Sequence, residues 1–280
     1  GVVEAVGEGV RSVGPGDRVA GSWRVHCGVC VHCRRGRTQY CRDLRQERVA
    51  GGFAEFARVP ESNVWPIPAG LSLRTATFCE PLACCYHGSR VLQIEPGEDV
   101  VVVGAGPIGL LHVQLARAQG ARVIAVDRIA SRLELAQRLG AQAVVNFEET
   151  SPPEAIGRLT DGKMADAVIV AASSLAAVEA GLPLLAMGGR MNIFAGIYPP
   201  GTLTLDPNEI HYRQIVLTGT HDYNPGHFTA ACKLLADGTV QTDPLISHHL
   251  PLTALEEGLE IVAAQAGHKV MIQIDPDVGS

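Results

Sequence analysis

Three patterns in this 280-residue chain predict an α/β protein, a doubly wound parallel sheet inserted into a β-rich domain. The first eighty residues lack helical periodicity and offer only short β-like runs separated by turn residues. From Glu80 onward, apolar strands alternate with helical stretches. A glycine-rich turn, Gly104-Ala105-Gly106-Pro107-Ile108-Gly109, joins one such strand to one such helix. Alternation of this kind implies parallel strands covered on both faces.

In order, the β-like runs of the first part are Val2–Val6, Arg18–Ala20 and Phe53–Val59. The turns between them include Gly14-Pro15-Gly16-Asp17 and Pro66-Ile67-Pro68-Ala69-Gly70. The alternating part predicts strands at Val100–Val103, Val123–Val126, Val144–Val145, Ala167–Ala171, Met191–Ala195 and Ile215–Thr218. Helices are predicted over Ile108–Gln119, Ala130–Leu139 and Leu175–Leu185, the first presenting Ile108, Leu111, Leu115 and Ala118 on one face. After Gly219, Asn224-Pro225 is an N-cap and N1 pair that opens a helix to Asp237, stopped by Gly238. Thr253-Ala254-Leu255-Glu256 is a capping box for another helix, and Val270–Ile274 alternates like a closing strand. The expected boundaries are residues 1–81, 82–221 and 222–280, the last returning to the first domain.

Composition narrows the function classes. Apolar residues make up 46% and charged residues 19%, the net charge is −6, and mean hydropathy is +0.15. No apolar run approaches the roughly 18 residues that a membrane span needs, so no membrane is expected. Eight cysteines without a secretory segment fit a reducing cytoplasm. The chain opens at Gly1 inside a predicted strand, which suggests a missing upstream segment.

Cys27, Cys30, Cys33 and Cys41 form a C-x2-C-x2-C-x7-C pattern within a lobe spanning residues 24–48. Four thiolates at this spacing suit a closed tetrahedral Zn²⁺ site with no open position, hence a structural one. Gly28 and Gly36 allow the backbone to turn around the ion. A disulfide framework fits small secreted domains better than a chain of this size. The bacterial iron–sulfur run ends in C-x3-C-P, whereas seven residues and Arg42 stand here. A nucleic-acid-binding ribbon is the sharper rival, given Arg24, Arg34, Arg35, Arg37, Arg42, Arg45 and Arg48. The net negative charge argues against nucleic acid as a partner.

The G-x-G-x-x-G turn stands in the context that gives it meaning, after a strand and opening a helix. Gly104 makes the tight turn, Gly106 lets a pyrophosphate approach, and Gly109 lets the helix pack on the strand. Pro107 and Ile108 complete the turn, and Gly120 ends the helix. Asp127, eighteen residues past Gly109, is placed to bind adenosine ribose hydroxyls and to repel a 2′-phosphate, favouring NAD over NADP. Arg132 joins this cofactor-binding set, and with Arg128 it would soften the preference.

Together these features resemble the zinc-containing medium-chain dehydrogenase/reductase family, which includes alcohol, sorbitol and threonine dehydrogenases. The match also rests on Val13-Gly-Pro-Gly-Asp-Arg-Val19, Gly51-Gly-Phe-Ala-Glu-Phe56, Cys79-Glu80-Pro81-Leu82-Ala83 and Asn192-Ile-Phe-Ala-Gly196. The resemblance implies a Rossmann sheet inserted into a GroES-like catalytic domain, with Zn²⁺ and NAD as cofactors. It also implies an upstream Cys and Gly-His-Glu that this chain does not show, leaving the catalytic zinc site incomplete. Glu80 carries over as the residue beside the catalytic zinc, with a helix-dipole role as the compatible alternative and Cys79 as the rival ligand. Asp222 and Tyr223, with His211 and His221 nearby, fall where the family contacts substrate, a polar turn being the alternative. His87, the pair His248-His249, Cys84, Cys85 and Cys232 read as packing or loop residues.

The implied reaction is reversible oxidation of a secondary alcohol on a polyol or sugar-like small molecule. Zinc would acidify the hydroxyl, and hydride would pass to C4 of the nicotinamide. A threonine-type or simple alcohol dehydrogenase, a zinc-free reductase, and a protein that only binds NAD or nucleic acid are the alternatives. The family implies a homodimer or homotetramer.

Overall fold

The computed structural model describes residues 1–45, 47 and 49–275. In chain order the elements are β1 (Val19–Gly21), α1 (Val31–Arg34), β2 (Val64–Pro66), α2 (Leu73–Ala76), α3 (Cys79–Leu92), β3 (Asp99–Val103) and α4 (Pro107–Ala118). They continue through β4 (Arg122–Asp127), α5 (Ala130–Arg138), β5 (Ala143–Asn146), α6 (Pro152–Leu159), β6 (Ala165–Val170), α7 (Leu175–Gly181) and β7 (Leu185–Ile193). The chain then forms α8 (Pro207–Arg213), β8 (Val216–Gly219), α9 (Pro225–Ala236), β9 (Ile246–Pro251), α10 (Leu255–Ala263) and β10 (Lys269–Gln273). Two compact units result: Gly1–Ala83 with the chain from Asp222 onward, and Cys84–His221.

The second unit is a six-stranded parallel sheet in the order β5-β4-β3-β6-β7-β8. Two βαβ halves meet at β3 and β6, the topological switch point of a doubly wound fold. Four consecutive valines, Val100–Val103, occupy the central strand and are buried on both faces. That is why the strand reads as a continuous apolar run rather than an alternating one. Helix α4 is likewise buried all round from Gly109 to Ala116, while Ala118 is exposed. The one-sided apolar face expected for this helix is therefore replaced by burial of its whole central part.

In the first unit β1 pairs antiparallel with β2, and β9 pairs parallel with β10. Helix α9 starts as expected, with Asn224 and His227 forming a reciprocal capping box and Pro225 at the first turn. Trp65 on β2 stacks on Phe228 of α9, ring centroids 4.2 Å apart.

Several expectations are corrected. The run Val2–Val6 has only a bridge from Val2 to Arg18, and Phe53–Val59 only a bridge from Ala50 to Arg58. Phe53 and Phe56 are exposed, so these side chains give the run no buried apolar face. Thr253 lies in a 3-10 turn, and α10 begins two residues later at Leu255 without a side-chain cap. His248 and His249 belong to β9 rather than to a loop. Helix α7 ends at Gly181, and β7 starts at Leu185, well before Met191. Helices α6 and α8 are not among the expected elements, although each opens with proline in its first turn.

His112 sits in the buried middle of α4 with neither ring nitrogen hydrogen-bonded. Its ring meets Phe194 edge-on at 4.5 Å. Burial drives its pKa down from 6.5 to about 3. Between those values the unfolded chain takes up a proton that the folded chain refuses. The stability is therefore complete above about pH 6.5 and is lost as pH falls, by up to ~1.4 kcal/mol per pH unit. His112→Leu is expected to stabilise the fold by about 1–3 kcal/mol and to flatten this acid sag. Urea unfolding followed at neutral and mildly acidic pH checks both; a destabilised variant with an unchanged pH slope would contradict them.

Candidate metal centre and dinucleotide site

The four-cysteine lobe is assembled by short local turns. Gly28 and Gly36 both have positive φ, at 74° and 70°, on either side of α1. Cys27 and Cys30 precede α1, Cys33 lies within it, and Cys41 follows the 3-10 turn Thr38–Tyr40. The sulfur separations are 3.9 Å for Cys27–Cys33, 3.5 Å for Cys30–Cys33 and 3.6 Å for Cys27–Cys41. All four sulfurs lie within 4.8 Å of one another. A tetrahedron with Zn–S bonds near 2.3 Å has edges of about 3.8 Å, so the donor set fits the ion in type, number and spacing. Backbone N–H groups of Val29 and Cys30 pull the Cys27 thiol down to about 7, while burial pushes Cys33 up to about 12. Among the described residues this is the only group of three or more His, Cys, Asp or Glu side chains placed to share a metal.

The surrounding arginines divide into two kinds. Arg34, Arg35, Arg37, Arg42 and Arg45 are exposed, and Arg45 pairs with Asp43 at 2.9 Å. Arg48 lies outside the described residues. Arg24 is instead buried, and its Nε pairs with Asp222 Oδ2.

Asp222 and Tyr223, the expected substrate contacts, are both buried, at 8% and 1% exposure. The Tyr223 hydroxyl meets Ser22 Oγ at 2.7 Å, and Asp222 Oδ1 accepts the Tyr223 N–H at 2.8 Å. Asn63 Nδ2 donates to the carbonyls of Arg24 and Ser22 at 2.7 and 3.3 Å. These residues fasten the returning chain to the first lobe. Arg24, Ser22 and Asn63 escaped sequence reasoning because their partners lie up to 201 positions away. His211 and His221 are exposed, and His87 is buried in α3, where desolvation lowers its pKa.

Glu80 is the second residue of α3 and half-buried, so its carboxylate complements the helix dipole. It belongs to no metal-sharing group among the described residues. Cys79 is fully buried with its sulfur 3.0 Å from that of Cys232.

The glycine-rich turn gives each glycine a separate job. Gly104 turns the chain at φ +97°, a conformation that L side chains rarely adopt. A Cβ on Gly109 would overlap the Gly104 carbonyl oxygen, so only hydrogen fits between α4 and β3. A Cβ on Gly106 would meet nothing within 4 Å. Open space therefore lies beside the helix N-cap, where Gly106 has no side chain to satisfy the free N–H groups behind Pro107 and Ile108. Asp127, at the end of β4, is 6% exposed. Its carboxylate accepts N–H groups from Ala105 at 2.7 Å, Arg128 at 2.7 Å and Ile129 at 3.0 Å. Arg128 is exposed and Arg132 half-buried on α5. An anionic acceptor tied to the turn beside an open helix N-terminus suits a dinucleotide.

A family profile described as alcohol dehydrogenase GroES-like domain matches residues 1–69, and one described as zinc-binding dehydrogenase matches residues 107–237. The chain is 34% identical to the L-threonine 3-dehydrogenase of Bacillus subtilis (strain 168), over 97% of this chain and 79% of that protein. It is 32% identical to the D-arabitol-phosphate dehydrogenase of Enterococcus avium, over 99% and 80%. A zinc-binding dehydrogenase of Sinorhizobium meliloti 1021, solved bound to NADP, superposes with a TM-score of 0.89 at 33% identity, covering 98% and 81% of the two chains. This chain belongs to the zinc-containing medium-chain dehydrogenase/reductase family. It is accordingly an oxidoreductase with a Rossmann sheet and a GroES-like domain, acting on small molecules with zinc and a nicotinamide cofactor. Among the described residues no helix is long and apolar enough to cross a membrane.

The glycines make separable predictions. Gly109→Ala is expected to destabilise the protein by about 2–4 kcal/mol, because backbone must move. Gly106→Ala should unfold like the wild type yet weaken dinucleotide binding about tenfold or more, ~1.4 kcal/mol. Paired unfolding curves and calorimetric titrations check this, and the reverse pattern would contradict the assignment.

Proposed function

We propose that this chain catalyses reversible oxidation of a secondary alcohol, on a polyol or sugar-like substrate, with NAD as hydride acceptor. The observation that carries the reading is the Asp127 carboxylate, buried at the end of β4 and tied to Ala105 of the glycine turn. A ribose with free hydroxyls can donate to it, whereas a 2′-phosphate meets its charge. Gly104, Gly106, Pro107, Ile108 and Gly109 present the N-terminus of α4 to the pyrophosphate. Arg132, with Arg128, sits close enough in sequence to temper the discrimination, and an NADP-bound relative keeps that comparison pertinent.

Cys27, Cys30, Cys33 and Cys41 would hold a structural zinc that closes the lobe and leaves no position for substrate. Glu80, in the first turn of α3, would stand beside a catalytic zinc and hold the surrounding hydrogen bonds in place. When bound, that zinc supplies Lewis acidity to the alcohol, and the nicotinamide takes the hydride. The chain's own residues bind, orient and exclude water. A threonine-type substrate is the second reading, favoured by similarity to the Bacillus subtilis enzyme.

A homodimer or homotetramer is supported by β8, the last strand at one edge of the sheet, where Val216 is exposed. Tyr212 and Ile210 of α8 and Met187 of β7 are exposed as well. Eight free cysteines support residence in a reducing cytoplasm.

Paired kcat/KM values with NAD and NADP, over vicinal polyols, their phosphate esters and L-threonine, test this reading. The expected result is a polyol substrate with NAD preferred at least about tenfold, and a narrowed cofactor ratio in Asp127→Ser. Wild-type preference for NADP, or selective turnover of L-threonine, would overturn it.

A further inference from the structure

Two cysteines outside the zinc lobe are brought together by tertiary structure alone. Cys79 opens α3 and Cys232 lies within α9, 153 positions away, yet their sulfurs are 3.0 Å apart. That is within about 1 Å of the disulfide bond length. Both residues are free thiols and both belong to the first compact unit. Cys85, on the same helix, directs its thiol to the Ile108 carbonyl at 3.9 Å.

The two sulfurs differ in access. Cys79 is 0% exposed, while Cys232 is 6% exposed and lines a groove of about 480 Å³. Trp65, Pro66 and Pro68 form one wall of this groove, and Thr229, Lys233 and Asp237 belong to the other. Both cysteines are buried, but Cys232 borders the groove and Cys79 does not, so a small molecule in the groove would meet Cys232 first. Access to the attacking thiol is one of the factors that govern disulfide exchange.

We propose that Cys79 and Cys232 form a redox modification site that takes low-molecular-weight disulfides of the glutathione type through this groove. The Cys232 sulfur attacks one sulfur of the incoming disulfide, forming a mixed disulfide and releasing one thiol, which carries off the proton from Cys232. The Cys79 sulfur then attacks the Cys232 sulfur, and the second small thiol leaves with the proton from Cys79. The protein dithiol loses two electrons and two protons in all, and one small disulfide becomes two thiols. The bond formed joins the first turn of α3 to the middle of α9. This site does not depend on which alcohol or cofactor the protein uses.

The test uses zinc-loaded, full-length protein treated with oxidised glutathione, then alkylated and mapped by mass spectrometry. The expected product is a Cys79–Cys232 cross-link, about 2 Da lighter than the dithiol, reversed by a reducing agent, with zinc retained. Cys79→Ser should stop at glutathione on Cys232, and Cys232→Ser should leave Cys79 unmodified. Because either variant can misfold, phenylarsine oxide on the wild type supplies a second probe, expected to bridge the same two sulfurs. Stable glutathione on wild-type Cys232, cross-linking through Cys84 or Cys85, or two unreacted thiols under both reagents would overturn the proposal.

Discussion

The contact on which most of the molecule depends is the one between α4 and β3, where a single hydrogen on Gly109 fits against the Gly104 carbonyl. It sets how closely the first helix lies on the central strand. The same closeness leaves the N-terminus of α4 pointing at open space beside Gly106. Four valines anchor the strand on one side of the turn, and the fully buried middle of the helix anchors the other. The helix packing and the open space at the helix N-terminus thus go with one backbone approach. Asp127 extends the constraint, since its carboxylate clamps Ala105 while also capping the turn after β4.

The first unit is held by different means. Among the described residues it has two small sheets, each of two strands, and relies on local clamps. The four sulfurs of the lobe are spaced like the corners of a tetrahedron around a central ion, so zinc bound there would be coupled to folding of the lobe. The Arg24–Asp222 pair, with Ser22, Tyr223 and Asn63, ties the returning chain down through buried polar contacts. Removing one member would strand a buried charge, which costs far more than the pair contributes when intact.

What could be read in the sequence was whatever is local or periodic. The glycine turn, the cysteine spacing, the valine strand and the Asn224-Pro225 helix start all express themselves within a few residues. Asp222 and Tyr223 were legible as polar residues in a loop, but their burial against Arg24 and Ser22 required the fold. Arg24 itself looked like one more surface arginine of a basic lobe. The proximity of Cys79 to Cys232 had no local trace at all. Phe53 and Phe56 mislead in the opposite sense, because the run Phe53–Val59 reads as β-like while both rings face solvent.

Transfer of a label most directly tests the central claim that the glycine turn and Asp127 serve hydride transfer from an alcohol to NAD. Zinc-loaded protein would be incubated with NAD and a polyol deuterated at its secondary carbinol carbons, and the reduced cofactor examined by NMR. Deuterium at C4 of the nicotinamide is the result this account predicts. Reduced cofactor lacking the label, or bound NAD left unreduced across the polyol set, would contradict it.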